Sequence, residues 1–257
     1  MHAEISFNLS VLYGFLLVLA RVSGVILFVP IPGLSAGPDA SRIVLALALT
    51  AALSPVWPAP VVEGLGLARL VGWMGAEAAF GLTVGTAVAF LMEGIQMAAQ
   101  VIGLQAGYSF ASTVDPNTQA DTTTLQLMAQ LLAGSLFFAF GFDRRVVLIL
   151  AQSLRTFPGG TYSVSGPAVE AITRLGTGIF STGVQLAMPV MGLLLLLDIA
   201  FAVLGRLQTQ LQLLSLSFAV KMLVGLGFLA GVLSFYPAVF ERAGAITFTV
   251  LTRIMTH

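Results

Sequence analysis

Apolar residues gather into six long runs, at 9–29, 43–62, 70–92, 125–142, 175–204 and 213–235, with polar punctuation between them. A helix needs about 20 apolar residues to cross the hydrocarbon core of a bilayer, so each run is a candidate crossing helix. The first is interrupted by Arg21. The second holds Pro55, Pro58 and Pro60 in its later half and is expected to fray there. The third continues, weakly amphipathic, to Phe110. As one helix of 41 residues it would extend about 60 Å. It must therefore break near Glu93-Gly94 or reach well beyond the lipid. The fifth run holds Pro189 and the sixth Lys221. The segment 237–257 reads as an amphipathic tail at an interface.

Composition strengthens this picture. Hydrophobic residues make up 58% of the 257 positions and charged residues 9%, where soluble domains carry about 25% charge. The mean hydropathy is +0.99. The chain reads as an all-α, polytopic, membrane-associated protein and as one domain over 1–257. Eleven basic residues balance eleven acidic ones, leaving no field to gather nucleic acid. Met1-His2-Ala3-Glu4 has no basic leader ahead of the first run, which reads as a retained helix.

Catalytic chemistry finds little to work with. Cysteine is absent, and the two histidines are His2 and His257, so thiol nucleophiles, thiolate metal sites and imidazole-dependent pairs have no natural home. No Gly-rich phosphate loop precedes Lys221. We expect no enzyme activity, no cofactor and no metal.

Charge inside the runs is costly, about 2.5 kcal/mol or more for each unpaired group. Arg21, Glu77, Asp198 and Lys221 all fall there. Two acids and two bases suit neutral pairing that fixes helix register, and Asp198 with Lys221 is the expected pair because their helices are consecutive. Between the fourth and fifth runs, 143–174 reads as a long connection with Arg144, Arg145, Arg155 and Arg174 against Asp143 and Glu170. That excess favours the cytoplasmic side. Glycines four apart (Gly81 and Gly85, Gly103 and Gly107, Gly227 and Gly231) read as faces for close helix packing.

The segment 111–124 is polar and Thr-rich between two apolar helices. Asp115-Pro116-Asn117 is turn chemistry, and Thr122, Thr123 and Thr124 offer an N-cap to the next helix. From spacing alone it reads as an external loop.

The residues before it carry a resemblance. Gln100-Val-Ile-Gly103-Leu-Gln105-Ala-Gly107-Tyr-Ser-Phe-Ala, running into Val114-Asp115-Pro116, resembles the FliR family of flagellar export proteins, which includes the SctT proteins of injectisomes. Other features resemble the family in the same order: Arg21-Val-Ser-Gly24 with Pro30; Glu77 with Gly81 and Gly85; Phe157-Pro158-Gly159-Gly160; Ala187-Met188-Pro189; Asp198, Gly205-Arg206, Gln210-Leu211 and Lys221. The chain departs at Thr209-Gln210-Leu211-Gln212, where relatives show Pro-Gln-Leu-Asn, and at Phe142-Asp143, where they often show Gly-His.

The resemblance implies an export-gate subunit of the bacterial inner membrane, in the flagellar basal body. Its long, kinked helical hairpins would sit in a hetero-oligomer with FliP-like, FliQ-like and FlhB-like partners, one copy per gate, passing unfolded export substrates. It also implies a plug over about 107–124: Gly107, Tyr108, Ser109, Phe110, Ser112, Thr113, Val114, Asp115, Pro116, Asn117, Thr122 and Thr123. Arg21, Glu77, Asp198, Arg206 and Lys221 would set register and subunit contacts. An injectisome subunit is the near alternative. A small-solute secondary transporter, using the buried charges for coupling and Pro189 as a helix break, is the rival from another class.

Overall fold

The structure, a computed structural model, describes residues 9–29, 39–58, 66–108, 124–157, 159–207 and 213–256. It is all-α: α1 (Leu9–Phe28), α2 (Asp39–Ala52), α3 (Leu67–Ala106), α4 (Thr124–Ala139), α5 (Phe142–Thr156), α6 (Gly166–Leu207), α7 (Leu213–Val232) and α8 (Tyr236–Thr256). Short 3-10 turns follow α2 at Ser54–Val56 and α7 at Leu233–Phe235. The helices form two compact units. One holds Met1–Phe90, Phe137–Gly176 and Ile246–His257, the other Leu91–Leu136 and Thr177–Ala245.

Three runs behave as their pattern dictates. The helix α1 is apolar throughout and carries Arg21 without a break. The second run ends early: α2 stops at Ala52 and Pro55 falls in the 3-10 turn, since proline removes a donor and restricts the residue before it. At 14 residues, α2 is too short to cross a bilayer. The sixth run is α7 with its 3-10 extension, and the tail is the helix α8, which buries Tyr236, Phe240, Phe248 and Leu251.

Two expectations need correction. The segment 143–174 is no mere connection: it contains α5 and the first turns of α6. Its charges misled because they line one side of an amphipathic helix. Phe142, Val146, Ile149, Leu150, Ser153 and Leu154 are buried, a spacing of three and four that follows the helical repeat. The chain bends by 62° between α4 and α5 at Gly141, which has φ +65°, a conformation that favours glycine.

The third run takes the long option. The helix α3 is continuous over 40 residues, about 60 Å, straight through Glu93-Gly94. Glycine there serves packing: a Cβ on Gly94 would lie 3.2 Å from Thr182 Cγ2 on α6. In the second unit α3 and α6 run side by side in parallel, with Gly183 of α6 lodged against Met97 of α3. The 42-residue α6 passes through Pro189 without ending.

Among the described residues, four stretches are long and apolar enough to cross a membrane: Leu9–Phe28, Leu67–Ala106, Gly166–Leu207 and Leu216–Met255. The bent pair α4–α5 makes up to five. This is an all-α polytopic membrane protein. Only 22% of the most apolar window of α6 and 6% of that in 216–255 are buried by the chain itself, so lipid or other protein must cover the remainder.

Candidate functional site

In the first unit, α1 and α3 pack almost backbone to backbone. A Cβ on Gly24 would meet Ala78 O at 2.8 Å, and one on Gly85 would meet Val25 O at 2.9 Å. At Gly81 it would run into the carbonyl of Arg21. Without a hydrophobic drive between helices in lipid, such contact is how crossing helices hold together. It also brings Arg21 and Glu77 to one level.

These two form the centre of a buried polar node. Arg21 is fully buried and Glu77 1% exposed. The Arg21 Nε donates to Glu77 Oε2 at 2.5 Å, one Nη donates to Ser153 Oγ at 2.9 Å, and the other reaches the Phe157 carbonyl at 3.4 Å. Ser153 in turn donates to Leu150 O, so its oxygen is left to accept from the arginine. The second Glu77 oxygen accepts the Gly160 N–H at 2.8 Å. Gly160 has φ +79°, and a Cβ there would collide with the Trp73 indole. Only glycine fits both the conformation and the space.

Aromatic rings close the node from water. Phe80 lies under the guanidinium at 4.8 Å, close enough for a cation–π attraction. Its ring meets Tyr162 edge-on at 5.1 Å, and Phe157 at 6.0 Å. No buried side-chain polar atom among the described residues lacks a partner. Chemically, this is a clamp: the carboxylate is held by a guanidinium and an amide, and the serine donates its proton to a backbone carbonyl. The node joins α1, α3 and α5 with Phe157 and Gly160.

The second charged pair lies in the second unit. Lys221 Nζ of α7 pairs with Asp198 Oδ1 of α6, as expected from their adjacency in sequence. Gln105 of α3 donates to the other Asp198 oxygen at 3.2 Å. One helical turn on, Tyr108 OH donates to the Met222 carbonyl of α7 at 2.8 Å. Gly107 ends α3 at φ +85° with Phe218 within 2.9 Å of where a Cβ would stand. The residues leading into the polar segment are thus tied to α6 and α7.

The other candidate positions differ. Ser109, Phe110, Ser112, Thr113, Val114, Asp115, Pro116, Asn117, Thr122 and Thr123 lie outside the described residues. Arg206 sits exposed in the last turn of α6, where a cation complements the helix dipole. Gly103 is buried in α3. Gly227 and Gly231 make no close packing within the described chain: a Cβ on either meets nothing described within 4 Å, since the chain itself hardly covers α7. Sequence reading missed Ser153, and it singled out Gly160 without its bond to Glu77. A lone serine on the apolar stripe of α5 was the available signal.

The pattern common to the bacterial export proteins, family 1, matches residues 12–245. The chain belongs to that family. The match takes in every residue of both charged clusters. Similar proteins include the flagellar biosynthetic protein FliR of Escherichia coli K12, 29% identical over 240 residues, 93% of this chain and 91% of that protein. The protein of the same name from Pectobacterium carotovorum is 28% identical over 83% of this chain and 80% of its own length. That from Caulobacter vibrioides is 28% identical over 83% and 86%. The match thus runs from α1 into the first half of α8 and is not confined to one helix pair.

Proposed function

We propose that this chain is the FliR-type subunit of a flagellar protein-export gate in the bacterial inner membrane. One copy per hetero-oligomer would help form, and close, the conduit for unfolded flagellar proteins. The observation that carries the reading is the end-to-end likeness to flagellar biosynthetic proteins. The bare apolar length of α6 and α7 supports it, since FliP-like, FliQ-like and FlhB-like subunits would supply the missing cover.

Residues 107–124 act as the plug in this proposal. A gate for unfolded chains cannot read sequence, yet it must stop ion leak when idle. A turn of small polar side chains blocks a pore with little conformational entropy to lose. Such a plug needs a fixed root. Gly107 packed on Phe218, Tyr108 bonded to Met222 and Gln105 bonded to Asp198 suit that role. The Arg21–Glu77 clamp holds helix register and conducts nothing.

Deleting the gene in its host should abolish swimming and flagellin export, with recovery on reintroduction. The tagged protein should purify with two small hydrophobic subunits. Normal flagellin export in the deletion strain would end the proposal. Removing residues 111–123 should raise ion leakage through the assembled gate, and unchanged conductance would dismiss the plug.

A further inference from the structure

The bare surface of the second unit has two characters. On α6 and α7 it is apolar, with Leu196 65% and Leu223 73% exposed. On α3 it is polar. Glu93 and Gln100 are exposed and Gln96 is partly so. At 3.6 residues per turn the three fall within about 60° of arc, one stripe roughly 10 Å long. Gln96 Nε2 donates to Glu93 Oε1 at 3.3 Å. Among the described residues no cation pairs with that carboxylate, and the Gln100 amide has no partner. The stripe is also level with apolar surface. Gly94 packs on Thr182 and Gln105 bonds to Asp198, so this part of α3 runs beside 182–198 of α6, where Met188, Leu195 and Leu196 stand exposed.

We infer that this stripe is wetted: Glu93, Gln96 and Gln100 line water at hydrocarbon depth, and the lone carboxylate makes that water favour cations. Lipid offers the carboxylate no partner, and charges at such depth face a bundle interior or a water-filled cavity. An apolar partner helix offers none either. A polar partner would have to bring a cation to Glu93 and both donors and acceptors to the two amides, all at fixed spacing. Water meets every one of these demands without matched geometry. The surface then divides by solvent: the apolar faces of α6 and α7 go to lipid and neighbouring subunits, and the α3 stripe turns to a passage. Its wetness goes beyond the export reading and does not depend on what the passage carries.

The chain has no cysteine, so Gln96→Cys and Gln100→Cys each carry one thiol, as do Leu196→Cys and Leu223→Cys on the apolar faces. Open membrane fragments holding the assembled complex are treated with membrane-impermeant methanethiosulfonates, and labelling is read as the mass of the purified chain. The thiols at 96 and 100 should react and those at 196 and 223 should not. About 10 Å from a carboxylate in water, a singly charged reagent gains or loses roughly twofold by its sign. A cationic reagent should therefore label Gln100→Cys about fourfold faster than an anionic one, and adding Glu93→Gln should erase the difference. If that double variant fails to assemble, the ratio measured at Gln100→Cys with Glu93 in place decides. Silence at both 96 and 100 would mean that a partner or lipid covers the stripe. That result, equal labelling at 196 and 223, or equal rates for the two reagents would each overturn the proposal. Failure of the export reading would appear in flagellin secretion, which this labelling does not measure.

Discussion

Replacing Arg21 with methionine isolates what the buried clamp contributes. Arg21→Met keeps most of the side-chain volume but leaves the Glu77 carboxylate, 1% exposed, with only the Gly160 N–H. Removing one member of a buried ion pair costs about 3–5 kcal/mol, since the surviving charge stays desolvated. At about 2–4 °C per kcal/mol for a chain of this size, the melting temperature in detergent should fall by roughly 6–20 °C. Glu77→Met should cost a similar amount, because the guanidinium would retain only Ser153, the Phe157 carbonyl and the Phe80 face. The double variant is the discriminating measurement. With both charges gone, the remaining penalty is the unpaired Gly160 N–H and Phe157 carbonyl, about 1–3 kcal/mol each. The pair should thus behave as one unit, with the double substitution costing clearly less than the sum of the two single ones. Fluorescence-detected size-exclusion after stepped heating reads this directly. If the two single losses simply add, the clamp is not a coupled pair and the argument from burial is wrong.

Three further outcomes follow from the same geometry. Gly160→Ala should destabilise the chain by about 1–2 kcal/mol from backbone strain alone, and more from collision with Trp73, shifting tryptophan emission; an unchanged spectrum and melting point would contradict the placement of that corner. Asp198→Lys or Lys221→Asp should each impair assembly, since either places two like charges side by side in an apolar stretch; the combined swap should restore it, as scored by co-purification. Gly81→Leu should prevent α1 from closing on α3 and abolish stable expression, whereas Gly227→Ala should leave the melting temperature of the chain alone within about 0.5 kcal/mol of wild type, because its face is open.

Much of this was legible from periodicity. Long apolar runs gave α1, α3, α6 and α7, and the cluster of prolines marked where α2 gives way. The pairing of Asp198 with Lys221 followed from adjacency and charge balance. What stayed hidden depended on contacts distant in the chain. Ser153 lies 132 positions from Arg21, and nothing local says that a hydroxyl on α5 will meet a guanidinium on α1. The Gly160 amide is a backbone donor and leaves no mark in side-chain chemistry. Helix α5 was overlooked for another reason: its arginines drew attention to charge, while its buried stripe kept helical spacing throughout. The glycines show the limit of motif counting. Gly81 and Gly85 are packed and Gly227 and Gly231 are open, and only neighbouring helices distinguish them.

The clamp also imposes an order on biogenesis. A ribosome making about 5–20 residues per second needs roughly 7–26 s to travel the 132 positions from Arg21 to Ser153. Throughout that interval the newly inserted first helix carries a cation whose full set of ligands has not yet been synthesised. Glu77 arrives first, 56 residues on, and can neutralise it; the serine and the glycine corner complete the cage only once more than half the polypeptide has emerged. A product truncated before that point would keep an arginine half-coordinated at hydrocarbon depth. Such a fragment would be less stable than the full-length chain, because a buried cation would lack part of its ligand set.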